Sequence, residues 1–329
     1  MNITQPFLSQ LTHVNEGNFD DIALSLFHYQ SIHNTTYRTF IETLGLQSSK
    51  ITSIDQIPFL PIEFFKSHTI VTGNEPVEVV FTSSGTTGMT TSRHPVRDLS
   101  FYLKNAQTIF ERYFGSLENY HFFALLPSYL ERQGSSLIAM MDYFIRESKS
   151  PYSGFYLHNY QELVSHLRLA KNTDRKVILW GVSFALLDLA EGFELDLKDA
   201  IVIETGGMKG RRKEMIREEL HELLCSRFKV GRIGSEYGMT ELLSQAYSLG
   251  NGLYQSPPWM KILVRDINDP FQMLENGKTG GINVIDLANA HSCAFVETQD
   301  LGKWVQGGYF EVLGRIDNSD LRGCNLLVG

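Results

Sequence analysis

Hydroxyl side chains and glycines are concentrated in one short stretch of the sequence, FTSSGTTG at residues 81–88. Glycine lets backbone N–H groups approach a ligand closely. Successive N–H groups and hydroxyls form a concave donor surface that suits phosphate oxygens. The stretch therefore predicts a phosphate-binding loop, and an ordinary Ser/Thr-rich turn is the alternative interpretation. Its members are Thr82, Ser83, Ser84, Gly85, Thr86, Thr87 and Gly88.

A second candidate for catalysis is a serine between a strand and a helix. The segment GVSFA (181–185) has the form of the nucleophile elbow G-x-S-x-G, except that Ala185 stands in place of the last glycine. His221 and His291 follow in the chain order that a catalytic triad would require. No glycine run for an oxyanion hole precedes the segment. A serine hydrolase that uses Ser183 is therefore a rival hypothesis.

Apolar strands alternate with helices through the middle of the chain. The strand EVVFT (78–82) comes directly before the hydroxyl-rich stretch, and helical spacing of apolar residues begins at Asp98. Further apolar strands, each followed by a helical pattern, lie at 121–127, 176–180 and 200–205. Such alternation is typical of an α/β domain with a largely parallel sheet.

The regions on either side differ from this pattern. Residues 19–46 predict two helices, with Asp20 and either Asn34 or Thr35 as caps. The segment IPFLPIEFFKS (57–67) has two prolines among aromatic and aliphatic residues and predicts a packed, irregular connector. Toward the C-terminus the helical pattern fades, and short strands with glycine turns are predicted.

The composition of the 329 residues excludes several classes of function. Apolar residues make up 43% and charged residues 20%, which is typical of a globular protein with a substantial core. A net charge of −8 provides no basic field to attract nucleic acid or anionic lipid. The N-terminus lacks the pattern of a signal peptide, and no run of about 18 apolar residues predicts a membrane span. We therefore expect a cytoplasmic protein.

The three cysteines are Cys225, Cys293 and Cys324. Their odd number and the absence of a C-x-x-C motif argue against a disulfide framework or a structural zinc site. Cys225 and Cys293 lie in apolar contexts and are predicted to be core residues. Cys324 has two interpretations: a small buried residue, or a reactive thiol whose pKa the nearby Arg322 would lower.

The order of five segments resembles the adenylate-forming enzymes, the superfamily of acyl-CoA synthetases and luciferases. The loop FTSSGTTG resembles their phosphate-binding loop. The further segments are ETGGMKG (204–210), GSEYGMTE (234–241), ETQDLGKW (297–304) and VLGRIDNSDLRGCNL (312–326). The chain departs from the pattern where members usually have a lysine after the loop, since Arg93 lies there, and where Gln299 replaces a glycine.

The resemblance implies that these segments surround one ATP molecule and Mg²⁺. It implies that Tyr237 stacks on adenine, that Thr240 reaches the α-phosphate and that Asp300 accepts hydrogen bonds from the ribose. The implied nucleotide-binding residues are Thr82, Ser83, Ser84, Gly85, Thr86, Thr87, Gly88, Gly206, Gly207, Glu236, Tyr237, Gly238, Asp300 and Arg315. The implied catalytic residues are Thr240, Glu241, Arg315 and Cys324, with Glu241 as the ligand of Mg²⁺. An aromatic face, a hydroxyl and a carboxylate have the chemistry for a base, a phosphoryl oxygen and Mg²⁺.

Within the superfamily the chain is similar to the LuxE-type acyl-protein synthetases. The connector, the hydroxyl-rich loop, the ETGGMKG turn and the ending GR…RGC carry this similarity. In that family an acyl-adenylate passes its acyl group to a cysteine near the C-terminus, which implies Cys324 here. CoA or a protein thiol is the alternative acceptor, and a reductase or acyltransferase subunit is the implied partner.

The resemblance also implies the fold: α/β, the large N-terminal domain of adenylate-forming enzymes, with mixed and parallel sheets flanked by helices. We expect a helical segment at 1–50 and a catalytic domain at 51–329 that ends at the hinge motif, with Asp317 at the hinge and without the usual small C-terminal domain. Because that small domain carries a lysine used in adenylation, a non-catalytic or partner-dependent nucleotide-binding subunit remains an alternative. The sequence does not predict the acid or the oligomeric state.

Overall fold

The computed structural model describes residues 5–83, 90–127, 134–206 and 215–316. The chain divides into a central unit, Val77–Tyr254, and a flanking unit, Met1–Pro76 with Gln255–Gly329. The strands are β1 (Leu60–Pro61), β2 (Val79–Thr82), β3 (Arg93–Val96), β4 (Tyr120–Leu125), β5 (Gly154–Tyr156), β6 (Lys176–Val182), β7 (Ile201–Thr205), β8 (Gly234–Tyr237), β9 (Ala246–Ser248), β10 (Leu253–Gln255), β11 (Met260–Arg265), β12 (Thr279–Asp286), β13 (Phe295–Val305) and β14 (Tyr309–Arg315). The helices are α1 (Gln5–Gln10), α2 (Phe19–His33), α3 (Thr35–Thr43), α4 (Phe64–Ser67), α5 (Leu99–Phe114), α6 (Ser136–Glu147), α7 (Tyr160–Ala170), α8 (Ser183–Gly192) and α9 (Arg217–Phe228).

The central unit contains the predicted parallel sheet. Its strands follow the order β10-β9-β8-β7-β6-β4-β5. The pairs β4–β5, β4–β6, β6–β7 and β7–β8 are parallel, and β9 runs antiparallel to β8. The short strands β2 and β3 form a separate antiparallel hairpin. The predicted α/β class is confirmed, because the apolar strands predicted at 121–127, 176–180 and 200–205 are β4, β6 and β7 of this sheet. The strand predicted at 78–82 is β2 of the hairpin.

The inner strands of the central sheet read as continuous apolar runs because both faces are covered. Every residue of β4 is buried, and β6 is buried from its second residue onward. Phe110 of α5 packs against Phe122 and Trp180, with ring centroids 5.5 and 6.4 Å away. Burying a side chain of this size contributes about 1.5–3 kcal/mol. The helix α5 begins where its sequence predicted, since the Asp98 carboxylate accepts a hydrogen bond from the Phe101 N–H at 2.8 Å.

The flanking unit is built on antiparallel strands in the order β11-β12-β13-β14. The predicted irregular connector at 57–67 is more regular than expected. Within it β1 pairs in parallel with β13, and Phe65 of the following short helix is fully buried. The pairing was not predictable from the connector, because its partner strand lies more than 200 residues later in the chain.

The two helices predicted at 19–46 are α2 and α3, but one predicted cap is wrong. Asn34 caps α3 by accepting a hydrogen bond from the Tyr37 N–H at 3.0 Å. Asp20 lies inside the first turn of α2, where the N-cap position is Asn18. An acidic residue in a first turn favours the helix dipole without capping it. The Asp20 carboxylate instead pairs with Lys261 of β11 at 2.6 Å.

The described cysteines differ in their surroundings. Cys293 is fully buried, and burial raises the pKa of its thiol to about 12. Cys225 is only partly buried, which corrects its predicted place in the core. Among the residues described, no helix is both long and apolar enough to cross a membrane.

Candidate functional site

The hairpin β2–β3 carries the hydroxyl-rich loop. Thr82 ends β2 and pairs with Arg93, whose side chain is exposed on β3. The Ser83 N–H donates to the Ser92 carbonyl at 3.1 Å, and the Ser92 N–H donates to Ser83 Oγ at 2.9 Å. These two hydrogen bonds close the base of the loop. The predicted phosphate-binding residues Ser84, Gly85, Thr86, Thr87 and Gly88 lie outside the described residues.

Two of the predicted adenine-binding segments meet at the carboxyl ends of neighbouring parallel strands. The strands β7 and β8 pair in parallel, and beyond their paired residues Thr205 Oγ1 donates to Glu236 Oε2 at 2.6 Å. If this register is continued by one residue, Gly206 and Tyr237 lie opposite each other at the ends of the two strands. Gly206 has a φ of 76°, a left-handed conformation that favours glycine. Ligands of open α/β sheets bind at this end of the strands.

The segment from Tyr237 to Glu241 continues from β8 as a turn. The Tyr237 side chain is 8% exposed, and its ring lies edge-on to Tyr254 with centroids 6.0 Å apart. Gly238 is exposed, and a Cβ at this position would overlap the carboxylate of Glu236. Glu241 is 4% exposed. A carboxylate buried to this extent is uncommon in a protein unless it pairs or binds a metal ion, so Glu241 is not a solvated surface residue.

A buried network around Glu204 joins three adjacent strand ends, and sequence reasoning missed it. Ser183, directly after β6, donates to Glu204 Oε2 at 2.9 Å, and Ser235 of β8 donates to Oε1 at 3.1 Å. Arg217 and His221 of α9 each lie 3.8 Å from the same carboxylate. Burial by itself would raise the pKa of Glu204, but His221, Arg217 and Ser183 stabilise the carboxylate and hold its pKa below the usual value. The available signal was an acidic residue inside the apolar strand AIVIET.

The same network argues against the serine hydrolase. A triad serine needs a base that takes its proton, and that base is normally a histidine. Here the Ser183 hydroxyl donates to a carboxylate whose pKa is low, and the side chain is 2% exposed. His221 Nε2 also faces this carboxylate, 3.8 Å from Glu204 Oε1. Ser183 is thus a structural member of a hydrogen-bond network.

A second carboxyl group of this region, Glu236, accepts the hydrogen bond from the Thr205 hydroxyl. Burial raises its pKa to about 7, the charge of Glu204 acts in the same direction, and the hydrogen bond from Thr205 opposes them. Ionising two neighbouring carboxyl groups in a poorly solvated environment costs free energy, because the two negative charges repel each other. Glu236 is therefore mostly protonated below about pH 7, whereas Glu204 is ionised there.

This difference predicts an altered pH dependence of stability in Glu236→Gln. The folded protein binds more protons than the unfolded chain between the ordinary pKa of 4.5 and about 7, so the free energy of unfolding falls as pH rises through that window. Glutamine does not titrate and can still accept the Thr205 hydroxyl. When the pH is raised from about 5 to about 8, the free energy of unfolding of the variant should increase by about 1–3 kcal/mol relative to that of wild type. Urea unfolding at both pH values measures the gain, with the exposed Glu222→Gln as control; equal slopes for Glu236→Gln and wild type would contradict the raised pKa.

In the flanking unit the structure brings together two residues that the sequence predicted separately. Asp300 of β13 and Arg315 of β14 are direct cross-strand partners, with Arg315 Nε 3.7 Å from Asp300 Oδ1. The Arg315 side chain is 82% exposed and that of Asp300 15%. An ion pair this long and this exposed contributes little to stability. The exposed Arg315 guanidinium is therefore available to a ligand at small energetic cost.

A buried guanidinium positions the strand that carries Asp300. Arg265 donates to the Ile282 and Thr298 carbonyls at 3.3 and 3.0 Å, and Nη2 lies 3.0 Å from Glu297 Oε1. A Cβ at Gly281 would overlap this guanidinium. The sequence contains a signal for this arrangement, because paired glycines inside a strand often mark a close approach.

The remaining predicted site residues lie outside the described residues. They are Gly207, Asp317 and Cys324. The predicted site residues that the structure describes therefore fall into two groups. One lies in the central unit, at the β2–β3 hairpin and at the carboxyl ends of β7 and β8, and the other is the Asp300–Arg315 pair of the flanking unit.

Comparison with known proteins identifies relatives along most of the chain. A curated relative is the long-chain-fatty-acid–luciferin-component ligase of Vibrio harveyi, 23% identical over an alignment of 331 positions, which covers 91% of this chain and 84% of the relative. The open conformation of 2-hydroxyisobutyryl-CoA ligase, in complex with 2-HIB-AMP and CoA, has a TM-score of 0.64 at 13% identity and covers 93% of this chain and 72% of that one.

Two further solved structures match a smaller part. ATP-bound MatB from Rhodopseudomonas palustris has a TM-score of 0.55 at 16% identity and covers 74% of this chain and 49% of that one. O-succinylbenzoate coenzyme A synthetase (MenE) from Bacillus subtilis, in complex with AMP, has a TM-score of 0.51 at 18% identity and covers 74% and 50%. This chain thus spans about half the length of these two proteins. At such identities the similarity shows the fold alone, and it agrees with the predicted α/β fold.

The family model described as acyl-protein synthetase, LuxE, matches residues 14–329 and so includes the connector, the hydroxyl-rich loop, the strand ends around Tyr237 and the Asp300–Arg315 pair. With this coverage and the shared fold, the chain belongs to the LuxE acyl-protein synthetase family.

Proposed function

We propose that this chain activates a carboxylic acid with ATP, forming an acyl-adenylate, and transfers the acyl group to a thiol. The observation that carries the proposal is the meeting of Gly206 and Tyr237 at neighbouring strand ends, followed directly by the Thr240–Glu241 turn. Membership of the acyl-protein synthetase family supports the same reaction. An aromatic ring, a backbone that only glycine adopts easily, a hydroxyl and a buried carboxylate form a suitable set for an adenylate.

The residues present fit a nucleotide. Gly206 leaves the space beside the strand end free of a side chain, so that the flat face of a base can approach the backbone. Tyr237 offers a ring on the neighbouring strand, and base–aromatic stacking contributes about 1–3 kcal/mol. Hydroxyls at Thr82 and Ser83 begin the loop that would face the phosphates. In the flanking unit, Asp300 has a carboxylate, which is an acceptor for the hydrogen bonds that ribose hydroxyls donate.

Glu241 is the residue that would hold Mg²⁺. Mg²⁺ is usually bound through one or two carboxylates together with phosphate oxygens of the substrate. Within the described ranges no group of three or more His, Cys, Asp or Glu residues could hold a metal ion. A single buried carboxylate such as Glu241 suits Mg²⁺ that arrives with ATP, because the phosphate oxygens would supply further ligands. When bound, the ion would neutralise charge on the phosphates.

The proposed reaction has two steps. In the first, a carboxylate oxygen of the acid attacks the α-phosphorus of ATP, the bond to the β-phosphate oxygen breaks, and pyrophosphate leaves. In the second, a thiolate sulfur attacks the acyl carbon, AMP leaves with the bonding electrons, and the thiol proton passes to solvent. The protein contributes positioning and charge stabilisation. The exposed Arg315 guanidinium and the Thr240 hydroxyl are the groups that we assign to the phosphate oxygens.

The proposal also specifies the class of acid and the thiol that accepts the acyl group. The name of the Vibrio harveyi relative specifies a long-chain fatty acid, and we propose the same class of substrate here. For the acceptor we propose Cys324, with CoA or a protein thiol as the alternative. A reductase or acyltransferase subunit is then the partner that would receive the acyl group. We also propose that the reaction takes place in the cytoplasm.

Acid-dependent exchange of radiolabelled pyrophosphate into ATP tests the first step. With a panel of fatty acids of different chain lengths and several aromatic acids, we expect exchange that requires both Mg²⁺ and one class of acid. Intact-protein mass spectrometry after incubation with ATP and the active acid tests the second step. An acyl adduct is expected in wild type and is expected to be absent in Cys324→Ser.

The two steps of the proposal can fail separately, and the measurements distinguish these outcomes. Absence of exchange with every acid would refute adenylation by the chain alone. If calorimetry then still showed ATP binding, the partner-dependent nucleotide-binding subunit would be supported. Normal exchange together with an unchanged adduct in Cys324→Ser would keep the first step and reassign the acceptor.

A further inference from the structure

A histidine of the β2–β3 hairpin contacts the backbone of the proposed catalytic turn. His94 lies on β3 opposite Phe81 and is fully buried. Its Nδ1 lies 2.7 Å from the carbonyl oxygen of Thr240, which is 146 residues later in the chain. Both residues belong to the central unit. The contact therefore joins the strand that follows the hydroxyl-rich loop to the turn that contains Thr240 and Glu241.

The chemistry of the contact defines the protonation of the imidazole. A carbonyl oxygen can only accept, so Nδ1 must carry the hydrogen. Burial lowers the pKa of His94 to about 4, and the hydrogen bond to Thr240 opposes this only in part. At neutral pH the ring is uncharged, with its proton on Nδ1. A neutral donor can hold a carbonyl without placing a positive charge beside a site for phosphates and Mg²⁺.

A second side chain holds the far end of the same turn. Asn105 of α5 donates through Nδ2 to the Leu243 carbonyl at 2.8 Å and lies 3.3 Å from Ser244 Oγ. The turn itself contains a hydrogen bond from the Leu242 N–H to the Met239 carbonyl at 3.2 Å. His94 and Asn105 therefore contact the turn on both sides of Glu241.

We propose that His94 is a positioning residue of the adenylation site, whose Nδ1–H holds the Thr240 carbonyl and so fixes the Thr240–Glu241 turn relative to the hairpin that carries the hydroxyl-rich loop. The proposal rests on the proposed function. Adenylation needs the phosphate-facing loop and the Mg²⁺-binding carboxylate to be held together, since small misplacements of catalytic groups are costly. The hydrogen bond from His94 links the strand that follows the loop to the turn that carries the carboxylate.

Three substitutions of His94 separate the hydrogen bond from the volume of the ring. Leucine keeps a similar volume without a donor, glutamine places its amide one bond further out, and asparagine places Nδ2–H near the position of the Nδ1–H. We expect kcat for pyrophosphate exchange to fall about tenfold or more in His94→Leu and His94→Gln, with KM for the acid unchanged. His94→Asn should recover to within about threefold of wild type.

A matched control is available in the same unit. His121 is also buried, with Nδ1 2.6 Å from Ser150 Oγ and Nε2 2.7 Å from Thr173 Oγ1. It lies near the amino end of β4, whereas the site lies at the carboxyl ends of the strands. His121→Leu should lower thermal stability as a buried substitution does, with unchanged exchange kinetics. A kinetic loss in His121→Leu equal to that in His94→Leu would show a general effect of destabilisation and overturn the proposal.

Hydrogen–deuterium exchange tests the positioning without relying on activity. In His94→Leu the amides of residues 238–245 should exchange about tenfold faster than in wild type, whereas His94→Asn and His121→Leu should keep wild-type protection there. Unchanged protection in His94→Leu would refute the inference, whatever the kinetics. Loss of protection in His94→Leu, together with an inactive wild type, would refute the proposed function while leaving the link between the two segments established.

Discussion

Glu241→Gln is expected to lower the rate of acid-dependent pyrophosphate exchange by about 100-fold or more. The glutamine side chain has the same size and keeps one acceptor oxygen, so the packing of this 4% exposed residue is preserved. What the variant loses is the negative charge that would hold Mg²⁺ at the phosphates. The loss should therefore appear in catalysis, with little change in the midpoint of thermal unfolding.

The assay compares wild type, Glu241→Gln and Glu222→Gln at several Mg²⁺ concentrations. Glu222 is exposed on α9 and provides a carboxylate-to-amide change outside the site. We expect Glu222→Gln to match wild type and Glu241→Gln to remain slow even when Mg²⁺ is raised. If Glu241→Gln kept a rate within about threefold of wild type, Glu241 would have no part in binding the ion.

Arg265→Met is expected to reduce the free energy of unfolding by about 3–5 kcal/mol. The substitution removes the charge that compensates Glu297, and it leaves the Ile282 and Thr298 carbonyls without the hydrogen bonds that the guanidinium donates. Burial raises the pKa of Glu297, and Arg265 opposes that rise. Without the arginine, Glu297 is expected to take up a proton more readily, so part of the loss should be recovered at low pH.

Urea unfolding of a double-mutant cycle measures this effect. Arg265→Met with Glu297→Met should be more stable than Arg265→Met alone, because replacing both partners of a buried pair by apolar groups is often nearly neutral. Arg38→Met, at an exposed arginine of the same unit, should change stability by less than about 0.5 kcal/mol. A loss in Arg265→Met no larger than in Arg38→Met would show that the buried pair does not stabilise the flanking unit.

Much of the central unit was predictable from its sequence. The strands β4, β6 and β7 are continuous apolar runs because helices cover both faces of a parallel sheet, and such runs are visible without a structure. The cap at Asp98 was predictable for the same reason, since it depends on residues within one turn. Cys225 was misplaced, because an apolar helical pattern does not specify how much of each side chain the neighbouring elements cover.

The order of the motifs could also be recognised in the sequence, and it was enough to predict the family and the fold. Hydroxyls and glycines have the same chemistry wherever they lie, so their types indicated phosphate binding. The resemblance of the motifs then implied a nucleotide before any position in space was known. The roles of the individual site residues remain predictions. Those on the hydroxyl-rich loop, and Cys324, lie outside the described residues.

The contacts between segments that are distant in the sequence could be identified only from the tertiary structure. His94 meets Thr240 across 146 residues, β1 pairs with a strand more than 200 residues away, and Asp300 faces Arg315 because of the register of two antiparallel strands. Local composition encodes local conformation, whereas register and long-range pairing depend on how the whole core packs. The motifs that could bind an adenylate were therefore visible in the sequence, but the side chains that hold them in place, His94, Glu204 and Arg265, became visible only in the folded chain.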